Sequence, residues 1–345
     1  MGVLIRGIAL PQREEVSFVV DGERLRASSS ASTVDDVVEG WLLPGLADVH
    51  SHPGTEKPGE AYDHEVFRRH MIAHREAGVL TVRSPGSADQ VLSRADDVDL
   101  PRLSRGGRWL ATPGRFFEGW GRRVTEEELP AAAVEEASNG WCKVIGDWLP
   151  DDPPVPLDVL TATVDAVHAV GGRVAVHCQT AEGCRNAVLA GADSLEHGVH
   201  LDHSLLPRMA AQGTALVPTF TAFGKIIGNL DESRDPRLKE WILSGWEHAF
   251  PTVLAAYEAG VTVLAGTDEY PCGEVVGEIF RLIEAGMPVE AAIGAGSWTA
   301  RSWLGLPGLV HGGFADVVAY AADPVEDSSV LTRPSRIVLR GQVIR

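Results

Sequence analysis

Short apolar runs rich in β-branched residues alternate along the middle of the chain with segments of helical spacing. In one such segment Leu157, Leu160, Val164 and Val167 fall at i, i+3, i+7 and i+10, the period of an amphipathic helix. The apolar runs are GLADVH, VLTVRSP, RWLATPG, WCKVIGDW, RVAVHC, DSLEHG, TALVPTF and VTVLAGTD, eight in all. Strands that alternate with helices eight times predict an α/β fold, a parallel (β/α)8 TIM barrel.

The two ends of the chain have a different pattern, in which turn residues separate short strand-like segments. These are VLIRGIAL, VSFVVDG and RLRASSS near the N-terminus, and ADVVAYAADP and SRIVLRGQVIR near the C-terminus. Such segments predict short β-strands. We therefore expect residues 1–43 and 308–345 to form a small β-sandwich built from both termini, and residues 44–307 to form the catalytic barrel.

Several of the apolar runs end in residues that can bind a metal ion. The first run ends in His50 and His52, the fifth in His177, the sixth in His197 and the eighth in Asp268. Residues two apart on a strand share a face, and active sites of such barrels lie at the carboxyl ends of the strands. Imidazoles and a carboxylate that meet there suit a divalent ion. The lone His-x-His pair is a weak signal, but the combined set predicts a metal site.

The fourth run contains Lys143, which requires a separate interpretation. A cationic lysine inside a barrel is costly unless it is paired or neutralised. Carboxylation of the amine by carbon dioxide would give an anionic carbamate able to bridge two metal ions. The structural alternative is a lysine whose side chain extends to the surface. Strand alternation alone does not decide which face Lys143 takes.

In this order the motifs resemble the amidohydrolase superfamily, in its metal-dependent form of a barrel with a small β-sandwich. The motifs that carry the resemblance are PGLADVHSH, CKVIGDW, VAVHCQT, SLEHG and AGTDEYP. The tail GLPGLVHGGFADVVAYAADPVED is similar to the strand that returns to the β-sandwich. The resemblance covers essentially the whole chain, and it is more specific for the superfamily than for a substrate.

The resemblance implies a cofactor of two divalent metal ions, with zinc as the default and manganese, cobalt or iron as alternatives. The implied ligands are His50, His52 and Asp268 for one ion, His177 and His197 for the other, and carboxylated Lys143 between them. A hydroxide would be the second bridge and would attack the substrate. Asp268 would also be catalytic, because it would take the proton of the hydroxide and pass it to the leaving group.

Gln179 favours hydrolysis over deamination among the reactions that the resemblance implies. Many deaminases of the superfamily have a glutamate at this position, two residues after the histidine of strand five, and they lack the lysine of strand four. An amide cannot relay a proton as a carboxylate does. We therefore expect hydrolysis of the C–N amide bond of a dipeptide or N-acyl amino acid, as in the dipeptidase- and imidazolonepropionase-like branch. A lactonase or esterase, a deaminase and a non-hydrolytic member remain alternatives.

Four residues near the strand ends are candidates for substrate binding, namely Arg83, Arg115, Gln179 and Tyr270. A guanidinium at the mouth would bind a substrate carboxylate through paired hydrogen bonds, whereas the alternative is a surface ion pair. Trp120, Trp148, Phe220 and Phe223 would either wall an apolar pocket or serve packing.

One further histidine pair lies outside the strand ends. His70 and His74 are four residues apart on a predicted helix, which is metal-pair spacing. Without a third ligand, we expect a solvated helix face instead.

Composition limits the classes of molecule that we expect the 345-residue chain to bind. The net charge is −18, from 48 acidic and 30 basic residues, which argues against nucleic acid or an anionic membrane as the partner. The four cysteines form neither a C-x-x-C motif nor a disulfide framework, and neither a secretory signal nor a membrane span is evident. We expect a cytoplasmic enzyme with a small-molecule substrate. A homo-oligomer is compatible with the sequence.

Overall fold

A computed structural model of the chain describes residues 2–28, 35–57, 60–88, 97–230, 235–268 and 272–345. The strands are β1 (Val3–Ala9), β2 (Glu14–Asp21), β3 (Arg24–Ala27), β4 (Asp36–Pro44), β5 (Leu46–Asp48), β6 (Val79–Ser84), β7 (Arg102–Arg105), β8 (Leu110–Ala111), β9 (Arg122–Arg123), β10 (Trp141–Ile145), β11 (Arg173–Cys178), β12 (Ser194–His197), β13 (Ala215–Val217), β14 (Val317–Tyr320), β15 (Arg336–Leu339) and β16 (Gln342–Val343). The helices are α1 (His64–Glu76), α2 (Leu129–Glu136), α3 (Leu157–Ala169), α4 (Ala181–Ala190), α5 (Leu206–Gln212), α6 (Phe220–Gly228), α7 (Pro236–Glu258), α8 (Val275–Glu284), α9 (Val289–Ala295) and α10 (Trp298–Trp303).

Strands from both ends of the chain form one seven-stranded sheet, in the order β16-β15-β14-β4-β1-β2-β3. The central strand β4 pairs in parallel with β1 and antiparallel with β14. Apolar side chains such as Ile5, Leu25, Leu42 and Val317 form a core of their own on this sheet. The prediction that both termini build one β-unit is confirmed. β4 leads directly into β5, the first strand of the barrel.

Parallel strands form a closed ring in the middle of the chain. β5, β6 and β7 pair in sequence, and β10, β11, β12 and β13 form the rest of the wall. A bridge from Gly106 to β10 joins the two groups. On the other side Leu216 bridges Val263, and the Val49 N–H donates to the Ala265 carbonyl at 3.0 Å. The predicted barrel is therefore confirmed, with apolar residues filling the space between the strands and the outer helices.

Two of the eight predicted barrel strands differ from expectation. The third begins earlier, at β7, and continues only as the two-residue β8. Gly106 and Gly107 interrupt it because the backbone is crowded there, and a Cβ on Gly106 would lie 2.1 Å from the Pro85 carbonyl oxygen. The eighth run pairs through single contacts rather than as a regular strand. A Cβ on Gly266 in this run would lie 2.6 Å from the Cβ of His50.

Helix α1 buries its two histidines instead of exposing them. His70 and His74 are 5% and 0% exposed. His74 Nε2 lies 3.1 Å from Ser51 Oγ, and His70 Nδ1 accepts a hydrogen bond from the Gly54 N–H at 3.3 Å. The predicted solvated face is therefore wrong, because this side of α1 packs on the loop that follows β5. Among the described helices, none has the length and apolar character that a membrane crossing needs.

The burial of His74 predicts a pH-dependent contribution to stability. Burial lowers the pKa of His74 to about 3, so only the unfolded chain takes up this proton as the pH falls below about 6.5. Between about pH 7.5 and pH 5 the wild type should lose about 2 kcal/mol of unfolding free energy relative to His74→Gln. Urea denaturation at both pH values measures this difference. His64→Gln, at an exposed position on the same helix, is the control; because it retains His74, it should lose stability as the wild type does.

Candidate metal centre

His50 and His52 follow β5 and direct their rings into the mouth of the barrel. Their Nε2 atoms lie 3.1 Å apart. His50 is fully buried, and its Nε2 also lies 2.9 Å from Lys143 Nζ. The spacing of two residues therefore does place both imidazoles on one side of the chain, as the sequence pattern predicts.

Lys143 occupies the inner face of β10. It is 2% exposed, whereas its neighbours Cys142 and Val144 belong to the core between strands and helices. Burial lowers the pKa of the Lys143 amine, which favours its neutral form. Gly86 makes room for the side chain, because a Cβ there would lie 2.6 Å from the Lys143 Cβ. The alternative of a lysine extending to the surface does not hold in this structure.

His177, His197 and Asp268 approach the same space from three other strand ends. The rings of His177 and His197 have centroids 4.5 Å apart. Asp268 places Oδ1 3.2 Å from His52 Nε2 and Oδ2 3.9 Å from His197 Nε2. Ligand atoms of His50, His197 and Asp268 all lie within 4.8 Å of one another. The six residues that the sequence singles out as ligands thus meet in one place.

Left-handed backbone conformations turn several of these side chains towards the site. Asp268 has φ 48°, His197 has φ 70° and Thr219 has φ 51°. Such values are uncommon outside glycine and cost free energy, and they concentrate at functional sites. At His197 the turn places consecutive residues of β12, Glu196 and His197, both against His50.

The outer nitrogen of three imidazoles lies within 2.8 Å of a protein oxygen. His50 Nδ1 lies 2.7 Å from Glu196 Oε2, His52 Nδ1 lies 2.8 Å from the Gly86 carbonyl oxygen, and His197 Nδ1 lies 2.7 Å from Thr219 Oγ1. Metal-binding histidines are oriented in this way, with the other nitrogen left for the ion. His197 Nε2 is buried without a hydrogen-bond partner among the described residues. The donor set therefore fits a divalent cation.

The protonation states also suit a cation. Burial lowers the pKa of His50 to about 4 and that of His197 to about 3. Burial together with His197 holds the pKa of His177 well below its usual value. Burial alone would raise the pKa of Asp268, but His50, His52 and His197 outweigh it and hold that pKa well below its usual range. Neutral imidazoles and an ionised carboxylate are the forms that bind metals.

Arg83 lies beneath the site and not at the mouth, where we expected it. It is fully buried, and its guanidinium donates to Glu196 Oε1 at 3.2 Å, to Ser194 Oγ at 2.9 Å and to the Val49 carbonyl at 3.0 Å. A cation with these buried partners cannot reach a substrate carboxylate without leaving them. The predicted substrate contact of Arg83 is therefore corrected to a structural role.

Glu196 is the functional residue that sequence reasoning missed. Alternation assigns Glu196 and His197 to opposite faces of a strand, so only His197 was expected to face the site. The left-handed φ of His197 breaks that alternation. The available signal was an acidic residue directly before the histidine that ends the sixth run.

The remaining candidates for substrate contact have mixed positions. Arg115 Nη1 lies 2.5 Å from Asp152 Oδ1, in the surface ion pair that was the alternative interpretation. Gln179 Nε2 lies 3.2 Å from His177 Nε2, beside the site. Tyr270 lies outside the described residues. Of the candidate aromatic residues, Trp148 lies against His177 and Phe223 against His197. Trp120 and Phe220 are buried and pack against other aromatic rings.

Comparison of sequences connects the chain to two kinds of relatives. An uncharacterised protein of Mycobacterium tuberculosis is 37% identical over 352 residues, which cover 98% of this chain and 94% of the relative. Ochratoxinase of Aspergillus niger is 28% identical over 170 residues, which cover 48% of this chain and 35% of that protein. No protein-family model matches the sequence.

Comparison of structures covers the whole chain. The crystal structure of a Xaa-Pro dipeptidase with bound methionine matches with a TM-score of 0.85 at 24% identity, over 100% of both chains. The crystal structure of the Aspergillus niger ochratoxinase matches with a TM-score of 0.83 at 18% identity, over 100% of this chain and 96% of that one. Both matches show that the barrel and the terminal sheet together form a known fold.

The fold is amidohydrolase-like, and the candidate metal site of His50, His197 and Asp268 lies at the mouth of its barrel. The chain belongs to one family with the mycobacterial protein, and its fold is that of the prolidase and ochratoxinase structures of the amidohydrolase superfamily.

Substitution of Glu196 tests the interactions beneath the site. Glu196→Gln removes the buried negative charge that faces Arg83 and His50, so it should lower the free energy of unfolding by about 3–5 kcal/mol. Denaturant titration of the metal-free protein measures this loss. Glu247→Gln, an exposed position on α7, should stay within about 0.5 kcal/mol of the wild type. Equal stability of both variants would contradict the importance of the buried charge.

Proposed function

We propose that the protein is a metal-dependent hydrolase that cleaves the C–N amide bond of a small substrate, a dipeptide or an N-acyl amino acid. The observation that carries the proposal is the convergence of His50, His197 and Asp268 within 4.8 Å at the barrel mouth. The buried Lys143 and His177 lie beside them. One protein of similar structure is a Xaa-Pro dipeptidase, which supports a substrate of the peptide class.

The proposed cofactor is a pair of divalent ions, with zinc as the default. The ligands would be His50, His52 and Asp268 for one ion, His177 and His197 for the other, and a carboxylated Lys143 between them. The neutral amine of Lys143 would add to the carbon of carbon dioxide, forming an N–C bond and releasing one proton to solvent. When bound, such ions acidify water and polarise a carbonyl oxygen.

Asp268 is the group best placed to move a proton. Its side chain is 25% exposed, so it faces the mouth, and neighbouring imidazoles keep its pKa low. In the proposed reaction its carboxylate takes the proton of the attacking water and delivers it to the departing amide nitrogen. The neutral amide of Gln179, beside His177, cannot act as a general acid or base and would contribute hydrogen bonds to the substrate.

Metal content and the effect of Lys143→Ala test the proposed site together. Purified protein should contain about two divalent ions per chain, and Lys143→Ala should lower both the metal content and kcat, the latter about a thousandfold or more. Short carboxylates added to the variant should restore part of the activity. Lys239→Ala, on α7, is the control and should behave as the wild type. About one ion per chain, or full activity of Lys143→Ala, would contradict the bridging carbamate.

A substrate panel tests the reaction class. Dipeptides and N-acyl amino acids should be hydrolysed, with activity lost on removal of the metal by a chelator and restored by zinc. The matched comparison is a set of lactones and simple esters, because the same attacking group acts on both kinds of carbonyl. Turnover of lactones alone would overturn the amide assignment in favour of a lactonase.

A further inference from the structure

A cluster of aromatic side chains borders the candidate metal centre on the side of β8 and β10. It consists of Phe116 and Phe117, which follow β8, and Trp148, which follows β10; we call these three residues the aromatic wall. The Phe116 and Trp148 rings have centroids 5.0 Å apart, and those of Phe117 and Trp148 are 5.1 Å apart. These are the distances of edge-to-face aromatic pairs.

The aromatic wall reaches the ligand histidines and is open to solvent. The ring centroids of Phe116 and Trp148 lie 5.9 and 5.8 Å from that of His177. Phe116 and Trp148 are only partly buried, and Phe117 is 37% exposed. A substrate bound beside His177 would therefore lie close to the aromatic surface of Phe116 and Trp148.

Hydrogen bonds from side chains to backbone carbonyls hold the loop after β8 in place. Arg123 donates to the carbonyl oxygens of Trp120, at 2.5 Å, and of Phe117. Trp120 Nε1 donates to the Glu60 carbonyl at 2.6 Å. The aromatic wall is consequently a formed surface, as small-molecule sites usually are.

The backbone of Phe116 is in an unfavourable conformation. Its φ is 60°, a region that bulky residues rarely adopt, so the surroundings must stabilise it. The compensating contacts are the ring of Trp109 at 5.1 Å and that of Trp148 at 5.0 Å. Strain of this kind is concentrated at ligand sites, and here it directs an aromatic ring towards His177.

Two arginine side chains near the aromatic wall already have partners within the protein. Arg115 pairs with Asp152, and Arg123 bonds to backbone carbonyls. Their positions favour an uncharged, apolar ligand group on this side of the site over a carboxylate.

We propose that the aromatic wall is a specificity subsite for an aromatic ring on the substrate, next to the scissile amide. The inference rests on the proposed function, because it assigns a substrate class to the same site. Phe116 and Trp148 would be the specificity-determining residues. Edge-to-face contact and burial of the ring would supply the preference.

Matched substrate pairs test the preference. N-acetylalanine is compared with N-acetylphenylalanine and with N-benzoylalanine, so that the ring is varied on each side of the amide. At least one aromatic substrate should exceed N-acetylalanine about tenfold or more in kcat/KM. Phe116→Leu and Trp148→Leu should each reduce that ratio about threefold or more, so that the loss of kcat/KM is larger for the aromatic substrate than for N-acetylalanine. Tyr257→Leu, an exposed aromatic residue of α7, is the control and should keep the ratio.

Equal use of all three substrates, or an aromatic preference that both variants retain, would overturn the subsite. An equal loss on every substrate would also overturn it, because that result indicates packing against His177 alone. Binding of the same compounds to metal-free protein, measured by calorimetry, separates this inference from the proposed function. If no compound is hydrolysed but the aromatic ones bind more tightly in a manner that depends on Phe116, the subsite stands and the proposed reaction fails.

Discussion

The carboxylate of Glu196 is the contact on which the metal centre depends. One oxygen faces Arg83 and the other faces His50, so a single buried group neutralises a cation and orients an imidazole. A buried charge without such partners would be strongly destabilising. The contacts of Glu196 with Arg83 and His50 also link β12 with β6 and with the end of β5, three separate parts of the barrel wall. The orientation of His50 therefore depends on the correct pairing of several barrel strands.

The barrel and the ligand set follow from features that are local in sequence. Apolar runs with helical segments between them predict parallel strands, and the polar residue that ends each run marks the mouth of the barrel. The polar strand ends mark His50, His52, His177, His197 and Asp268, and these candidate ligands lie close together in the structure. They converge because strand ends meet at one place in a closed parallel sheet.

What the sequence could not predict depends on backbone geometry and on tertiary partners. Arg83 and Arg115 look equivalent beside the strand ends, yet one has Glu196 beneath the site and the other has Asp152 at the surface. Glu196 faces inward only because His197 takes a left-handed conformation, which the period of two does not encode. The third strand is interrupted where Gly106 meets the backbone of Pro85, a contact between distant segments. In each case the deciding neighbour is far away along the chain.

The join between the terminal sheet and the barrel has a consequence for the order of assembly. β4 pairs with β14, and the Gly45 N–H, immediately before β5, donates to the Asp316 carbonyl at 2.9 Å. The strand that carries His50 and His52 is thus anchored by residues synthesised about 270 positions later. During translation β5 emerges early and can pair with β6, but its anchor on the terminal sheet forms only when almost the whole barrel has left the ribosome. The candidate ligands His50 and His52 therefore gain this part of the framework that aligns them only near the end of synthesis.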